Sequence, residues 1–505
     1  MSRFLFAAFC LLLPLLMFVD RTAAEELQAG VGRSEITDRT AGPVNDPLWV
    51  KALVLRRGDV SAAIITVDAV SIGEIGRIKN SYLADVRGEL AKEFGLKPEH
   101  VLVNASHCHG VVCQDVEART VEAVRAAWKD LEPVTFGSAT AAENRISENR
   151  RVTLKSGAEA DVRRAYPLPG NEEVAAIGPI DPEVGVLRFD RADGRTLAVV
   201  YNFACHPIMG VPSAGNTSDF PGFASRAIEA GFDADTTALF LQGCAGDVNP
   251  VRYKDTAHPH DAEPLGNLLG LTVLRAAKSI RTAPVEDFQL MSRQLTLPRG
   301  ADLEKRMAAI QAEQTKLITT LRGTSLNFQQ FLPLYVTTKV AGDFPSYYSH
   351  DYFREEVQGR EDRRKLDAEN KANLDAYLQN IRTMEQLARL QANYNLLKKH
   401  HAQNVAAGRP ALDVEIAALR IGDCSLVTFP GELTTQIGLN IKASAPRPHT
   451  FVAAYTNGYI YYAPTAEQRR NSGYAQEDCD SLVGPEWQKL YEDHVAQLLH
   501  ALETR

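Results

Sequence analysis

Several apolar runs in this chain stop abruptly at a polar segment carrying histidine, glycine or acid, and helical stretches lie between them. Ala62-Ala63-Ile64-Ile65-Thr66-Val67 reads as a buried strand that ends at Asp68. Val101-Leu102-Val103-Asn104 precedes His107, Leu197 to Phe203 precedes His206, and Ala238 to Gln242 precedes Gly243. Ile78 to Phe94 carries apolar residues at helical spacing. Strands alternating with helices predict an α/β fold, a mixed sheet core flanked by helices. Such sheets place their chemistry at strand ends, which is where these polar segments fall.

The pattern changes between 298 and 407. Leu303, Met307, Ile310, Leu317 and Leu321 share one helix face, and Leu374, Leu378, Ile381, Met384, Leu387 and Leu390 share another. An aromatic, turn-rich stretch, Phe328 to Phe353, separates them. The expectation is an inserted helical hairpin, a structural element in preference to a lid. After Pro410 the earlier pattern resumes, with Leu426 to Phe429 running into Pro430-Gly431-Glu432 and Phe451 to Tyr455 running into a Tyr-rich loop. A helix from Pro485 to Leu502 closes the chain.

The N-terminus reads as a targeting segment. Arg3 precedes an apolar run from Leu5 to Val19, and Thr22-Ala23-Ala24 supplies small residues for cleavage. This predicts a signal peptide over 1–24 and an exported protein, periplasmic or secreted, with no stable membrane span after cleavage. An uncleaved anchor is the alternative, but the run falls short of the ~20 residues of a spanning helix. A net charge of −8 argues against a nucleic-acid surface. The six cysteines after the leader show no paired C-x-x-C, so small buried thiols are expected, with room for one unassigned disulfide.

Five segments carry residues suited to catalysis. In Asn104-Ala105-Ser106-His107-Cys108-His109-Gly110, residues two apart in an extended segment point the same way, so His107 and His109 can face one site. Imidazole nitrogen is a preferred zinc ligand. His206 follows a strand in Phe203-Ala204-Cys205-His206-Pro207. Gln242-Gly243-Cys244-Ala245-Gly246-Asp247-Val248-Asn249-Pro250 allows a tight turn and close backbone approach. Glu432 follows a strand and a turn, and Asn457-Gly458-Tyr459-Ile460-Tyr461-Tyr462 clusters tyrosines, with Tyr474 beyond. Taken singly, each of these also fits an ordinary turn, a core histidine or packing.

Their order resembles the neutral/alkaline (non-lysosomal) ceramidase family, which carries T-H-T-H-S, an H-P after a strand, G-D-V-S-P-N, P-G-E-x-T and N-x-Y-x-x-Y-x-T-T in that sequence. The resemblance spans about residues 28–297 and 408–480. It implies a hydrolase domain formed by 25–297 and 408–505, with 298–407 as a helical insertion. It implies Zn2+ as the cofactor, with His107, His206, Glu432 and Tyr462 as metal ligands. His109, Asn249, Arg150 and Tyr474 are the implied catalytic residues. Arg150 enters through Asn149-Arg150-Arg151 as the counterpart of a substrate-holding Arg, and Asp219 is the counterpart of a family Asp.

Three departures bear on substrate. The family's active-site Ser is Asn249 here, and an amide cannot act as that nucleophile. The 300–405 segment differs from its ceramidase counterpart, and the chain stops before the family's immunoglobulin-like C-terminal domain. The resulting expectation is a zinc-dependent hydrolase that cleaves an amide (N-acyl) bond with metal-activated water and is not specific for ceramide. Its partner is a small-molecule acyl amide or ester, lipids included. The alternatives are a zinc esterase, lactonase or deacetylase acting on a small or sugar-like acyl compound, and a non-catalytic binding homologue.

Overall fold

The computed structural model describes residues 26–162, 169–233, 235–341, 349–471 and 475–504. The leader over 1–24 and Tyr474 lie outside the described residues. Helices and strands form a mixed α/β fold, as the sequence pattern predicts. The core contains two sheets, not one. The larger has eight strands in the spatial order Thr237–Gln242, Thr196–Phe203, Glu183–Arg191, Glu132–Ala142, Gln28–Glu35, Trp49–Arg57, Val60–Val67, Val101–Ala105. Its two outermost pairs are parallel, and the pairings between them are antiparallel. The second sheet has the order Phe288–Pro298, Ala411–Ile421, Cys424–Thr428, His449–Ala453, with the last pair parallel.

Alternation along the strands explains how the layers stack. Leu53, Leu55, Ala62 and Ile64 share a core with Leu419, Ile421, Leu426 and Phe451, so these faces of the two sheets meet each other. The neighbouring residues Ala52, Val54, Ala63 and Ile65 point the other way, into a core shared with Tyr82, Val86 and Val124 from the helices Tyr82–Phe94 and Val116–Lys129. Val199, Tyr201 and Phe240 pack on the helices Asp219–Gly231 and Ala262–Ser279. Ile416, Ala418 and Val427 lie in one core with Trp487, Val495 and Leu498 of the C-terminal helix, Trp487–Glu503. The result is helices, sheet, sheet, helices.

The helical segment between the strands Phe288–Pro298 and Ala411–Ile421 leaves and re-enters the fold at one point, because Pro298 and Ala411 are paired residues. Its two long helices are Leu303–Thr319 and Asp362–Ala407, the latter 46 residues. Gln311 bonds Tyr394, Gln314 bonds Gln391 and Asn380 bonds Arg322, so partner numbers fall along one helix as they rise along the other. The pair is therefore an antiparallel hairpin. The expected turn-rich stretch is instead largely helical, over Phe328–Ala341 and Ser349–Val357. Packing outweighs the local signal there: Phe331 is buried, with its ring 4.5 Å from that of Tyr377.

All six cysteines in the described chain are free thiols, so the disulfide left open by the sequence does not form among them. No helix among the described residues is long and apolar enough to cross a membrane.

Candidate metal centre

Two buried asparagines gather the strand ends that carry the candidate residues. Asn104 donates to Ala454 O and accepts from the Gln242 backbone N–H, tying three strand ends together. Asn202 donates to Leu241 O and Val452 O, again bridging the two sheets. A buried amide satisfied on both sides fixes register, so the loops beyond these strands converge. They converge on a cavity of about 820 Å³. Among its lining residues are His107, His109, Arg150, His206, Asp219, Glu432 and Tyr462.

The centre of the site is a histidine pair facing a carboxylate. His107 and His206 are both buried, with ring centroids 4.9 Å apart. Each turns Nδ1 toward a backbone carbonyl: Val70 O at 2.6 Å from His107, and Val248 O at 3.1 Å from His206. A carbonyl only accepts, so Nδ1 carries the hydrogen and Nε2 is left to offer its lone pair. Both Nε2 atoms point at Glu432 Oε2, at 3.6 Å from His107 and 3.0 Å from His206. One ligand atom from each of the three residues lies within 4.8 Å of the others.

Electrostatics make this a cation site. Burial lowers the His107 pKa to about 3, against the pull of Glu432, so its imidazole is neutral. Burial alone would raise Glu432, but His107, His206 and Tyr459 hold its carboxyl well below the usual range. The neutral His107 lone pair facing an ionised carboxylate leaves electron-pair donors pointed at one another. A bound metal ion satisfies that arrangement, and the three residues can hold one.

The surrounding residues hold the carboxylate. Tyr455 donates to Glu432 Oε2 at 3.2 Å, and Tyr459 donates to Oε1. Glu432 and Tyr462 are direct partners in a short parallel ladder, Glu432–Leu433 with Tyr462–Ala463, so they stand side by side. The Tyr462 ring stacks on His206 with centroids 6.4 Å apart. Gly246 lies so close to this strand that a Cβ there would come within 2.7 Å of Glu432 O. Left-handed backbone at His107 (φ 67°), Tyr455 (56°) and Tyr461 (62°) marks the same region. Such conformations cost ~1–3 kcal/mol each and collect where function requires a fixed geometry.

Arg150 links the next group. The ladder of Ser147–Asn149 with Val248–Pro250 brings it beside Asn249. Its Nη1 donates to Asn249 Oδ1 at 3.1 Å, while Nη2 donates to Gly246 O at 2.7 Å and to the Tyr462 hydroxyl at 3.1 Å. Nε donates to Glu477 at 2.7 Å. Arg150 thus orients both Asn249 and Tyr462 and also reaches the cavity wall. Asn249 is buried behind that wall, with its carbonyl oxygen committed to Arg150.

His109 stands exposed on the cavity wall, its ring 5.5 Å from that of His107. The two do not share one extended strand face, because His107 is left-handed; the turn itself brings them together. Asp219 is buried in the wall and accepts N–H groups from Gly210 and Phe220. Burial raises its pKa to about 7. The contacts of Tyr455 and Glu477 escaped sequence reasoning. The acidic run Glu477-Asp478-Cys479-Asp480 was the available signal for Glu477.

Comparison with solved structures shows where this architecture recurs. The neutral ceramidase from Pseudomonas aeruginosa aligns with a TM-score of 0.58 and 17% identity, covering 95% of this chain and 74% of that one. A ceramidase complexed with C2 aligns with a TM-score of 0.59 and 18% identity, over 95% and 75% of the two chains. The chain therefore shares the ceramidase fold and spans about three-quarters of those chains. No family model and no curated protein matches its sequence.

Proposed function

We propose that this chain is an exported zinc-dependent hydrolase that cleaves N-acyl bonds in compounds smaller than ceramide. The observation that carries the reading is the convergence of two buried imidazole Nε2 atoms on the Glu432 carboxylate. The ceramidase fold of the structural neighbours supports it. The hydrolase domain is formed by 25–297 and 408–505, and 298–407 is an insertion.

His107, His206, Glu432 and Tyr462 would hold a zinc ion, which would supply a Lewis acid and lower the pKa of a bound water to roughly 7. The remaining chemistry belongs to the chain. His109, on the exposed wall, exchanges a proton with the attacking or leaving group, or hydrogen-bonds the developing oxyanion. Asn249 acts through Arg150: by accepting from Nη1 it aims the guanidinium that polarises the substrate carbonyl, and such a donor contributes ~3 kcal/mol. Arg150 has five N–H groups, and the one on Nη1 not used in the contacts above remains for substrate.

The cavity supports a short acyl group. Apolar Val70, Ile75 and Met209 line it together with polar His109, Asn216 and Asp219. A continuous apolar groove gains ~0.8 kcal/mol for each buried methylene, whereas a mixed wall gains little. The test is kcat/KM across N-acyl and O-acyl compounds of increasing chain length. A short-chain amide should be the best substrate. A steep rise toward long-chain ceramide would overturn the size assignment, and ester-only turnover would overturn the amide assignment.

A further inference from the structure

Two adjacent arginines serve different surroundings here and share one carboxylate. Arg150 falls between the strands Ser147–Asn149 and Arg151–Leu154. Its side chain reaches the cavity wall, whereas Arg151 is buried against Glu159 and Asp478. Glu477 is fully buried and spans the pair. Its Oε1 lies 2.7 Å from both Nε and Nη2 of Arg150, and its Oε2 accepts from Arg151 Nη1 at 3.0 Å. Arg151 is anchored in turn by Asp478 at 2.9 Å and Glu159 at 3.0 Å, and Asn471 holds Asp478 at 2.7 Å. The Glu477 carboxylate is therefore held at both oxygens and cannot turn away from Arg150.

The plane of the Arg150 guanidinium decides where its remaining Nη1 N–H points. Its other partners, Asn249 Oδ1, Gly246 O and the Tyr462 hydroxyl, are neutral acceptors. Glu477 is the partner among these that forms an ion pair. Hydrogen bonds between charged groups are roughly twice as strong as neutral ones, so Glu477 contributes most to fixing that plane. Glu477 itself is absent from the cavity lining. The geometry points to Glu477 as a positioning residue for the hydrolysis: from behind the wall it aims the guanidinium that polarises the substrate carbonyl. This inference rests on the proposed hydrolase reading, which it deepens by naming what holds the polarising donor in place.

The test replaces Glu477 by its isostere. Glu477→Gln leaves the cluster with two arginines and two carboxylates, Asp478 and Glu159, and turns an N–H donor toward one guanidinium. With a short-chain N-acyl amide, kcat should fall about tenfold to a hundredfold while KM stays within about threefold, because a misplacement of ~1 Å costs about that much in the chemical step. Bound zinc should stay at the wild-type level. In an Arg150→Ala background the same change should cost no more than about twofold, since no guanidinium is left to aim. Asp478→Asn is the control: it loosens Arg151 in the same cluster without touching Arg150, so it should lower Tm yet keep kcat within about twofold. Equal kcat losses in Glu477→Gln and Asp478→Asn, or a full second loss in the Arg150→Ala background, overturn the assignment. If Glu477→Gln does not fold, Glu477→Asp takes its place, because it keeps the charge but is one methylene shorter and cannot span both guanidiniums; the same outcomes then decide. Nitrogen-15 NMR of labelled arginine separates this inference from the hydrolase reading. The Arg150 Nε–H signal, assigned by its loss in Arg150→Ala, should exchange slowly in wild type and fast in the Glu477 variant. Slow exchange in both proteins overturns the positioning role and leaves the hydrolase reading standing. Fast exchange in the variant with no amide hydrolysed by wild type upholds the hold of Glu477 on Arg150 and refutes the hydrolase reading.

Discussion

Removing one hydroxyl, in Tyr459→Phe, should weaken zinc binding without touching a proposed ligand. The Tyr459 hydroxyl donates to Glu432 Oε1, the oxygen that does not face the histidines, and so sets the rotation of the carboxylate. In the variant Oε2 keeps the Tyr455 hydroxyl at 3.2 Å, so the carboxylate stays but loses one of its two hydroxyl anchors. Losing an outer partner of a metal ligand typically costs 10–100-fold in affinity, which is roughly 1.4–2.7 kcal/mol and matches one hydrogen bond to a charged group. The ring remains, so no large cavity opens. Competition against a chelator of known affinity measures the change. Tyr461→Phe is the control, because its hydroxyl contacts Glu74 and Gln403 instead of Glu432. Equal zinc affinity in Tyr459→Phe and wild type would refute the account of how Glu432 is held. An equal loss in both variants would reduce it to a general effect of loop packing.

Asn249→Ala should lower turnover by about tens to a thousandfold while zinc stays bound, as for an oxyanion donor left unaimed; unchanged kcat would make Asn249 a bystander. In zinc-free protein, stability should fall as pH drops from 6.5 toward about 3. The folded His107 pKa lies below its ordinary value, so the unfolded chain binds the extra proton across that window, and Glu432 is shifted downward too, adding a loss of the same sign. Thermal melts across the range check this, and a flat Tm would contradict it.

The strand-end motifs were legible in the sequence because each is local: an apolar run, a break, then a polar residue. That was enough to point to His107, His109, His206, Glu432 and the tyrosine cluster, and the family resemblance added Arg150 and singled out Tyr462; the fold brings these residues to one cavity. What lay beyond reading depends on pairing across distance. The ladder that sets Glu432 beside Tyr462 and the face-to-face packing of two sheets leave no periodic mark in any single segment. The contact between Asp480 and His400, 80 positions earlier, leaves no local mark either. The stretch after Phe328 reads as aromatic and turn-rich, yet over Phe328–Ala341 packing of Phe331 on Tyr377 holds it helical.

Metal content tests the central claim most directly. Purified from medium containing zinc, the wild-type chain should carry about one zinc per molecule by mass spectrometry, because the proposed ligands His107, His206, Glu432 and Tyr462 would make one complete set. His107→Ala and His206→Ala should each lose most of it. Zinc-free wild-type protein after reconstitution, or full occupancy in both variants, would contradict the assignment of this cluster as the metal centre.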